Sequence, residues 1–440
     1  PLIALQTIAS LPSEVFKDDN ELLDKVKNQS LNEESLIKRN VPSALFNLLK
    51  NCQSELISKY VIEELQVAIT EPDLKVRYAI LETIGKTFPQ ELSSPEAIEI
   101  LQVFMNDDAA TVRKISFELL EKLQDLNPMN VIGMIRRCIM NFFYIMKNLS
   151  AIRQKARVAR IMPSLIKASS QIAKLYTKGF LEIFYKELDP LSNAKYANFM
   201  EETASIRVKK GVIDTLSLFA PLDPQEISKH SDEIIPILCS YLLPTENRQI
   251  VLSVLECLFV LLSPKISTLA IRSKCVLIFK VCSNLLYETS SRRTRMALLK
   301  VIGAIGVIDM SKKETSFVAS LPPNLDEDIA RHFFHPNRDI DNDVNDTFLL
   351  EESKHDQYFN SIVTFNIMEI LDDPNQSDLY VPACQAMVQV LQYRKTSLLA
   401  AFDQFTVTLL KFINTEDLEK LKIYLTILEE LIILAQNNIV

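Results

Sequence analysis

Apolar residues recur along this chain at the three- and four-residue spacing of amphipathic helices, and polar turns separate one apolar run from the next. In the run that follows Asp73, for example, Val76, Ile80 and Ile84 fall on one helical face. The sequence has no sustained alternation of apolar and polar residues of the kind that indicates a strand. The pattern therefore predicts an all-α protein.

A short theme recurs where these helices begin: a polar turn, and then an arginine beside an apolar residue. It is clearest from Asp73 to Arg77 and from Asp108 to Arg113. Looser copies follow at Arg157-Val158, Ile206-Arg207, Asn247-Arg248 and Arg292-Arg293. The intervals, about 36 to 50 residues, bracket the helix-pair length of HEAT and armadillo repeats. We therefore predict an α-solenoid of HEAT-type helical repeats, a class that functions mainly by presenting surface to partners.

The acidic and basic residues of the theme have predicted structural roles. An Asp in the turn can cap the helix that follows it. We expect the arginine to pair with the acidic turn of the next repeat, which gives an inter-repeat ladder of Asp73, Arg77, Asp108 and Arg113. Because each repeat contacts only its neighbours, these residues are expected to support the fold rather than to contact a ligand.

The composition divides the chain into three parts. A HEAT-repeat array is predicted for 1–310, and further HEAT repeats for 357–440. Between them, residues 311–356 hold eleven acidic and five basic residues and two adjacent prolines, Pro322 and Pro323. This composition predicts a partly disordered insertion between repeats. The chain begins in the middle of a helical pattern, which is typical of a fragment of a longer polypeptide.

Glycine usage and charge narrow the class of ligand. The six glycines form none of the glycine-rich loops that hold phosphates, so a nucleotide site is not expected. Gly303 and Gly306, which lie inside an apolar run, are expected to allow close helix packing. A net charge of −8 disfavours nucleic acid as the main partner.

Two basic clusters are candidate partner contacts. They are Arg153, Lys155, Arg157 and Arg160, and Arg292, Arg293 and Arg295. Each cluster opens a predicted second helix of a repeat, where a solvated ridge or pairing between repeats is the simpler interpretation. Contact with an anionic partner is the alternative.

Sites for catalysis, metals and cofactors are not expected in this sequence. Asp339, Asp341 and Asp343 have the spacing of a calcium loop, but Val344 and Leu350 stand where that loop needs Gly and Glu. The four histidines lack acidic or thiol partners at metal-site spacing. No Ser, Cys or His stands in a context typical of a nucleophile.

The cysteines and the apolar runs indicate the cellular compartment in which the protein is found. Seven scattered cysteines without a C-x-x-C pair, mostly in apolar runs, are typical of buried thiols in a reducing environment. The longest apolar runs are too short or too interrupted to span a bilayer. We therefore expect a cytoplasmic protein.

Three stretches resemble the TOR kinases, a group of phosphatidylinositol-3-kinase-related protein kinases. In the first, 106–148, an Asn-Asp turn, an Asn-Pro turn and a basic pair occupy the family's places: Asn106, Asp107, Asn127, Pro128, Val131, Arg136 and Arg137. The second has two glycines three residues apart and then Asp309 and Lys312. The third follows the insertion and contains Tyr358, Phe359, Met368, Ile370, Asp373, Gln385 and Ala386.

The order and spacing of these stretches agree with the family over about residues 75–400, and the departures indicate a divergent member. Met310, Ser311 and Lys313 replace the family's Pro, Tyr and His. Asp378, Leu379 and Tyr380 stand in place of its histidine cluster.

The resemblance implies a non-catalytic part of the middle HEAT array of a serine/threonine protein kinase. The kinase motifs H-R-D and D-F-G are absent from this sequence. In the family, such arrays help to build the dimer of the kinase chain and hold a Raptor-like or Rictor-like subunit. The implied setting is a growth-signalling complex in the cytoplasm, or at endomembranes through that complex.

Other giant HEAT proteins remain alternatives. A karyopherin or a vesicle-coat adaptor would present an acidic groove to basic cargo, and the negative net charge is compatible with that class. A chromosome-organising protein would need a basic path for DNA, and a phosphatase scaffold would need more regular repeats.

Overall fold

The computed structural model describes residues 1–15, 20–32, 34–50, 52–189, 199–244, 246–263, 266, 271, 274–307, 363–393 and 399–438. Over these residues the chain forms α-helices joined by turns and short 3-10 segments, and they contain no strand. The all-α prediction is therefore confirmed. The predicted insertion 311–356 and the calcium-like residues Asp339, Asp341 and Asp343 lie outside the described residues.

The chain divides into two compact units, Pro1–Gly179 and Phe180–Val440. The division falls within the predicted array 1–310. The helices of the first unit are α1 (Leu2–Ser10), α2 (Asn20–Asn28), α3 (Ser35–Leu49), α4 (Ser54–Thr70), α5 (Leu74–Thr87), α6 (Pro89–Leu92), α7 (Pro95–Phe104), α8 (Ala110–Leu126), α9 (Pro128–Asn148), α10 (Ile152–Ala168) and α11 (Ser170–Ala173). Short 3-10 segments lie at Ser13–Val15, Gln29–Leu31 and Lys174–Tyr176.

The division between the units falls inside α12 (Thr177–Glu187). The second unit continues with α13 (Phe199–Leu222), α14 (Pro224–Lys229), α15 (Ser231–Ser240), α16 (Arg248–Leu261), α17 (Cys275–Glu288), α18 (Arg292–Val307), α19 (363–372), α20 (Tyr380–Tyr393), α21 (Leu399–Phe412) and α22 (Leu418–Asn438). A 3-10 segment, Pro374–Leu379, precedes α20. Within the described residues of 357–440, four helices are present.

Each unit consists of helical pairs whose second helices stack on one another. In the first unit, α3, α5, α8 and α10 form this layer, and the first helices α4, α7 and α9 form the other. In the second unit, α13, α16, α18, α20 and α22 pack successively. This arrangement buries the apolar face that a single helical pair leaves exposed.

Polar residues and prolines at the turns set where the helices begin. The Asp73 carboxylate accepts a hydrogen bond from the backbone N–H of Lys75 at 2.8 Å, as a helix cap does. Asn127 caps α9 in the same way, and Pro128 follows at the first helical position, where its missing N–H has no cost. The turn signals in the sequence therefore mark helix starts.

Close packing explains the two glycines of α18. A Cβ added to Gly303 would lie 3.1 Å from the Cα of Ala386, and one added to Gly306 would lie 2.6 Å from a methyl carbon of Val390. Both residues allow α18 and α20 to approach, as the sequence predicts.

The cysteines are all free thiols, and five of them are buried: Cys239, Cys257, Cys275, Cys282 and Cys384. Burial raises the pKa of the Cys239 and Cys384 thiols to about 12, which keeps both protonated and unreactive at neutral pH.

Candidate interaction surfaces

Arg77 joins two consecutive repeats through its guanidinium. Nη2 donates to Oδ1 of Asp107 at 3.0 Å, and Nε lies 2.9 Å from Oδ2 without the alignment of a hydrogen bond. Nη1 donates to the carbonyls of Glu71 and Pro72, at 2.8 and 3.0 Å. Arg77 thus binds both the turn that precedes its own helix, α5, and the turn that precedes α8, which is the second helix of the next repeat.

Asp73 accepts from the preceding repeat. Arg39 Nη2 lies 3.1 Å from its Oδ2, and the Ser35 hydroxyl donates to the same oxygen. The hydrogen bond from Ser35, then the backbone N–H of Lys75 and the Arg39 charge, lower the pKa of Asp73 to about 2. The carboxylate therefore stays charged at any physiological pH.

The second turn differs from the predicted ladder in its acceptor. Arg77 pairs with the side chain of Asp107, the neighbour of the predicted Asp108. Asp108 contributes its backbone carbonyl, which accepts from Nη1 of Arg113 at 2.8 Å, beside the Asp107 carbonyl at 2.6 Å. Arg113 therefore holds its own turn in the same way as Arg77.

The next turn, Leu149-Ser150-Ala151, has no acidic residue to continue the series. Arg113 instead lies near Arg160 of α10. Burial, and then the Arg160 charge, lower the pKa of the Arg113 guanidinium. Positive charge from two repeats is therefore concentrated at this place.

The arginines of α10 form an exposed face. Arg153, Arg157 and Arg160 follow the i, i+4, i+7 spacing of one helical face, and all three are exposed. None of the three makes a hydrogen bond or ion pair with a residue in the described part of the chain. Lys155, which the sequence groups with them, lies on the opposite side of the helix and is only 8% exposed. The cluster thus divides into three exposed arginines, here called the α10 face, and one buried lysine.

The second predicted cluster packs against a neighbouring repeat. Arg292 Nε lies 3.5 Å from Oδ2 of Asp378, and Arg295 donates to the side-chain oxygen of Gln376. Arg293 is exposed. Hydrogen bonds from Asn375 and Gln376, with the Arg295 charge as a smaller cause, lower the pKa of Asp373 in the same turn. Two of the three arginines therefore connect α18 to the 3-10 segment Pro374–Leu379.

One signal in the sequence extends beyond the clusters. The 56 residues 126–181 contain no Asp or Glu. They contain ten basic residues, namely Arg136, Arg137, Lys147, Arg153, Lys155, Arg157, Arg160, Lys167, Lys174 and Lys178. This is strong charge segregation in a chain whose net charge is −8. A count of acidic residues in a sliding window would have found it.

The described residues contain no group of three or more His, Cys, Asp or Glu side chains placed to hold a metal ion. In the same residues, no helix is both long enough and apolar enough to cross a membrane. The geometry that the structure presents is that of exposed side chains on helix faces.

Comparison with protein families identifies a match at the C-terminal end. Residues 273–436 match the family described as "Serine/threonine-protein kinase mTOR domain". The chain is 22% identical over 391 residues to the serine/threonine-protein kinase TOR2 of Saccharomyces cerevisiae, a match that covers 88% of the chain and 15% of that protein. It is 22% identical over 368 residues to the serine/threonine-protein kinase mTor of Drosophila melanogaster, covering 83% of the chain and 14% of that protein. The predicted similarity to TOR kinases is thus confirmed, and the chain spans about a seventh of these relatives.

Solved structures with a similar fold include two karyopherin complexes. Kap121p bound to Nup53p has a TM-score of 0.64 at 12% identity, over 96% of this chain and 39% of that one. The Kap95:Nup1 complex has a TM-score of 0.57 at 9% identity, over 94% of this chain and 45% of that one. At these identities the similarity shows the fold alone, and it confirms the HEAT-type α-solenoid class.

Proposed function

We propose that this chain is a non-catalytic scaffold segment of a TOR-like serine/threonine protein kinase. The segment helps to assemble the dimer of the kinase chain and holds a Raptor-like or Rictor-like subunit in growth signalling. The observation that carries the proposal is sequence similarity to TOR kinases along 83–88% of the chain. The karyopherins share the fold at 9–12% identity, which gives no comparable support for a transport role.

The α10 face is the proposed contact for one of these subunits. Guanidinium groups bind carboxylates and phosphates through paired hydrogen bonds, and three of them on one helix face are unpaired within the described residues. Like charges four residues apart destabilise a helix by themselves. An acidic surface on the subunit would relieve this repulsion. Of the two exposed arginines in the second cluster, Arg292 is paired with Asp378, which leaves Arg293 for such a contact.

The test is affinity purification, followed by mass spectrometry, of the whole polypeptide that contains this segment, here called the parent chain, from its own cells. We expect a Raptor-like or Rictor-like subunit and kinase peptides from the same polypeptide. A variant with Arg153→Glu, Arg157→Glu and Arg160→Glu should recover much less of that subunit. Lys75→Glu, at an exposed position on α5, is the matched control. Recovery of importin cargo, coat subunits or a small GTPase would instead support a transport protein.

The proposed location follows from the same complex. A TOR-like assembly would act in the cytoplasm, or at endomembranes to which its subunits attach it. Fluorescence microscopy of the tagged parent chain tests this, and an exclusively nuclear signal would contradict it.

A further inference from the structure

The exposed side of α9 carries large apolar side chains that the fold leaves in solvent. Met129 is 84% exposed, Met140 58% and Tyr144 61%. Their spacing of 11 and 4 residues places them on one helical face, about 22 Å long at 1.5 Å per residue. Met and Tyr are enriched at protein interfaces, and exposed groups of large apolar residues mark binding surfaces. This set of residues, with Gly133 and Arg136, is called the α9 face below.

The charge on the α9 face has one sign. Arg136 lies between Met129 and Met140 on the same side of the helix, and Arg137 and Lys147 border it. All three basic residues are exposed, and the surrounding segment 126–181 has no acidic residue. Arg136 and Arg137 make no ion pair with a residue that the structure describes. A partner for this face must therefore bring both apolar side chains and negative charge.

Gly133 lies in the middle of the α9 face without an internal reason for being glycine. A Cβ added there would meet no atom within 4 Å, whereas at Gly303 and Gly306 it would press on α20. Glycine inside a helix is less favourable than alanine, so the fold by itself would favour a side chain at this position. Because Gly133 has no side chain, a notch lies between Met129 and Met140. The backbone of a partner helix can approach α9 there.

From these three observations we propose that the α9 face binds an acidic amphipathic helix of another protein. Such a helix places its apolar stripe against Met129, Met140 and Tyr144, crosses at Gly133, and sets its carboxylates opposite Arg136 and Lys147. This is recognition of an amphipathic helix through its apolar residues, with charged contacts at their edge. The inference does not depend on which kinase or transport protein contains this chain.

Site-specific photo-crosslinking in the intact parent chain tests the inference. Benzoylphenylalanine replaces Met140 in cells, and mass spectrometry identifies the cross-linked peptide. We expect a segment of another polypeptide with net negative charge and apolar residues at i, i+3, i+4 and i+7. The same probe in place of Lys59, which is exposed on α4, should not label that segment.

Two second-site variants make the test specific. Gly133→Gln fills the notch and Arg136→Glu reverses the central charge, and each should lower the cross-link yield at least ten-fold. Lys59→Glu is the charge-reversal control and should leave the yield unchanged. Thermal unfolding of each variant separates loss of binding from loss of fold, because no atom lies where the new side chain at position 133 begins.

Several results would overturn the inference. These are cross-links confined to lipid, to nucleic acid, to residues 311–356 of the same chain or to a second copy of it, and the lack of any protein cross-link. An unchanged yield in the Gly133→Gln and Arg136→Glu variants would do so as well. Failure here, with a Raptor-like or Rictor-like subunit still recovered, would leave the proposed function standing.

Discussion

Arg77 binds Asp107, 30 residues further along the chain, while its Nη1 holds the carbonyls of Glu71 and Pro72. One half-buried side chain thus makes three hydrogen bonds and an ion pair across two repeats. Because these interactions form away from bulk water, their loss leaves polar groups without partners.

Arg77→Ala should therefore lower the free energy of unfolding by about 2–3 kcal/mol, the scale for hydrogen bonds that involve charged groups. Chemical denaturation measures the change. Lys75→Ala, two residues away and exposed, is the control and should change it by less than about 0.5 kcal/mol. An equal effect of both variants would mean that the Arg77 contacts contribute nothing specific.

The two arginine clusters should respond oppositely to neutralisation. The first variant removes like charges that have no partner among the described residues: Arg153→Gln, Arg157→Gln and Arg160→Gln. Its free energy of unfolding should therefore stay within about 0.5 kcal/mol of the unsubstituted protein's or rise. Arg295→Met removes the donor to Gln376 and the positive charge beside Asp373, and should destabilise the protein. Thermal unfolding compares the two variants. A large loss in the α10 variant would show that those arginines support the fold.

Glu64 should make stability depend on pH. It is 2% exposed on α4, and burial raises its pKa to about 7, with Glu63 adding to the shift and Lys27 opposing it. Since the ordinary pKa is 4.5, the folded protein binds the proton more tightly than the unfolded chain. The stabilisation is therefore complete below pH 4.5 and is lost as the pH rises through 7.

Glu64→Gln should remove that dependence. The variant should be more stable than the unsubstituted protein at pH 8 and equally stable near pH 4.5. At 1.36 kcal/mol per pKa unit, the difference at pH 8 is up to about 3 kcal/mol. Unfolding curves across this range measure the difference. Glu55→Gln, at an exposed position of the same helix, is the control. A difference that does not vary with pH would contradict the shifted pKa.

Two glycines should give opposite results when replaced by alanine. Gly303→Ala places a Cβ 3.1 Å from the backbone of Ala386 and should destabilise the protein by about 1–3 kcal/mol, as overpacking does. Gly133→Ala meets no atom within 4 Å and should stabilise α9 by about 0.5–1 kcal/mol. Thermal unfolding measures both, and a destabilised Gly133→Ala variant would reveal an internal role for that glycine.

Helix positions could be predicted from the sequence because apolar periodicity and turn residues act locally. The turns at Asp73 and at Asn127-Pro128 both start helices where the pattern places them. The partner of Arg77 could not be predicted in the same way. Asp73 lies four residues before Arg77, whereas Asp107 lies six residues before Arg113. Because the spacing differs, the backbone conformation of each turn determines which carboxylate faces the neighbouring repeat.

The candidate surfaces were predictable only in part. The α10 arginines stand out as a cluster, but Lys155 lies two residues from Arg153 and so points about 200° away around the helix. The α9 face escaped the sequence analysis because its apolar residues resemble core residues. Only the packing around α9 distinguishes exposed Met140 from buried Met134 and Met146.

The arginine–aspartate pairs of the first unit couple the stability of each repeat to that of the next. Asp73 and Asp107 tie each turn to the repeat before it, so loosening one repeat frees the start of the next second helix. At α10 the turn has no carboxylate, and α8 and α10 are joined by side-chain packing and by Gln124 donating to the carbonyl of Ala168. The link between α8 and α10 therefore differs in kind from the links on its N-terminal side, where an arginine–aspartate pair joins each repeat to the next.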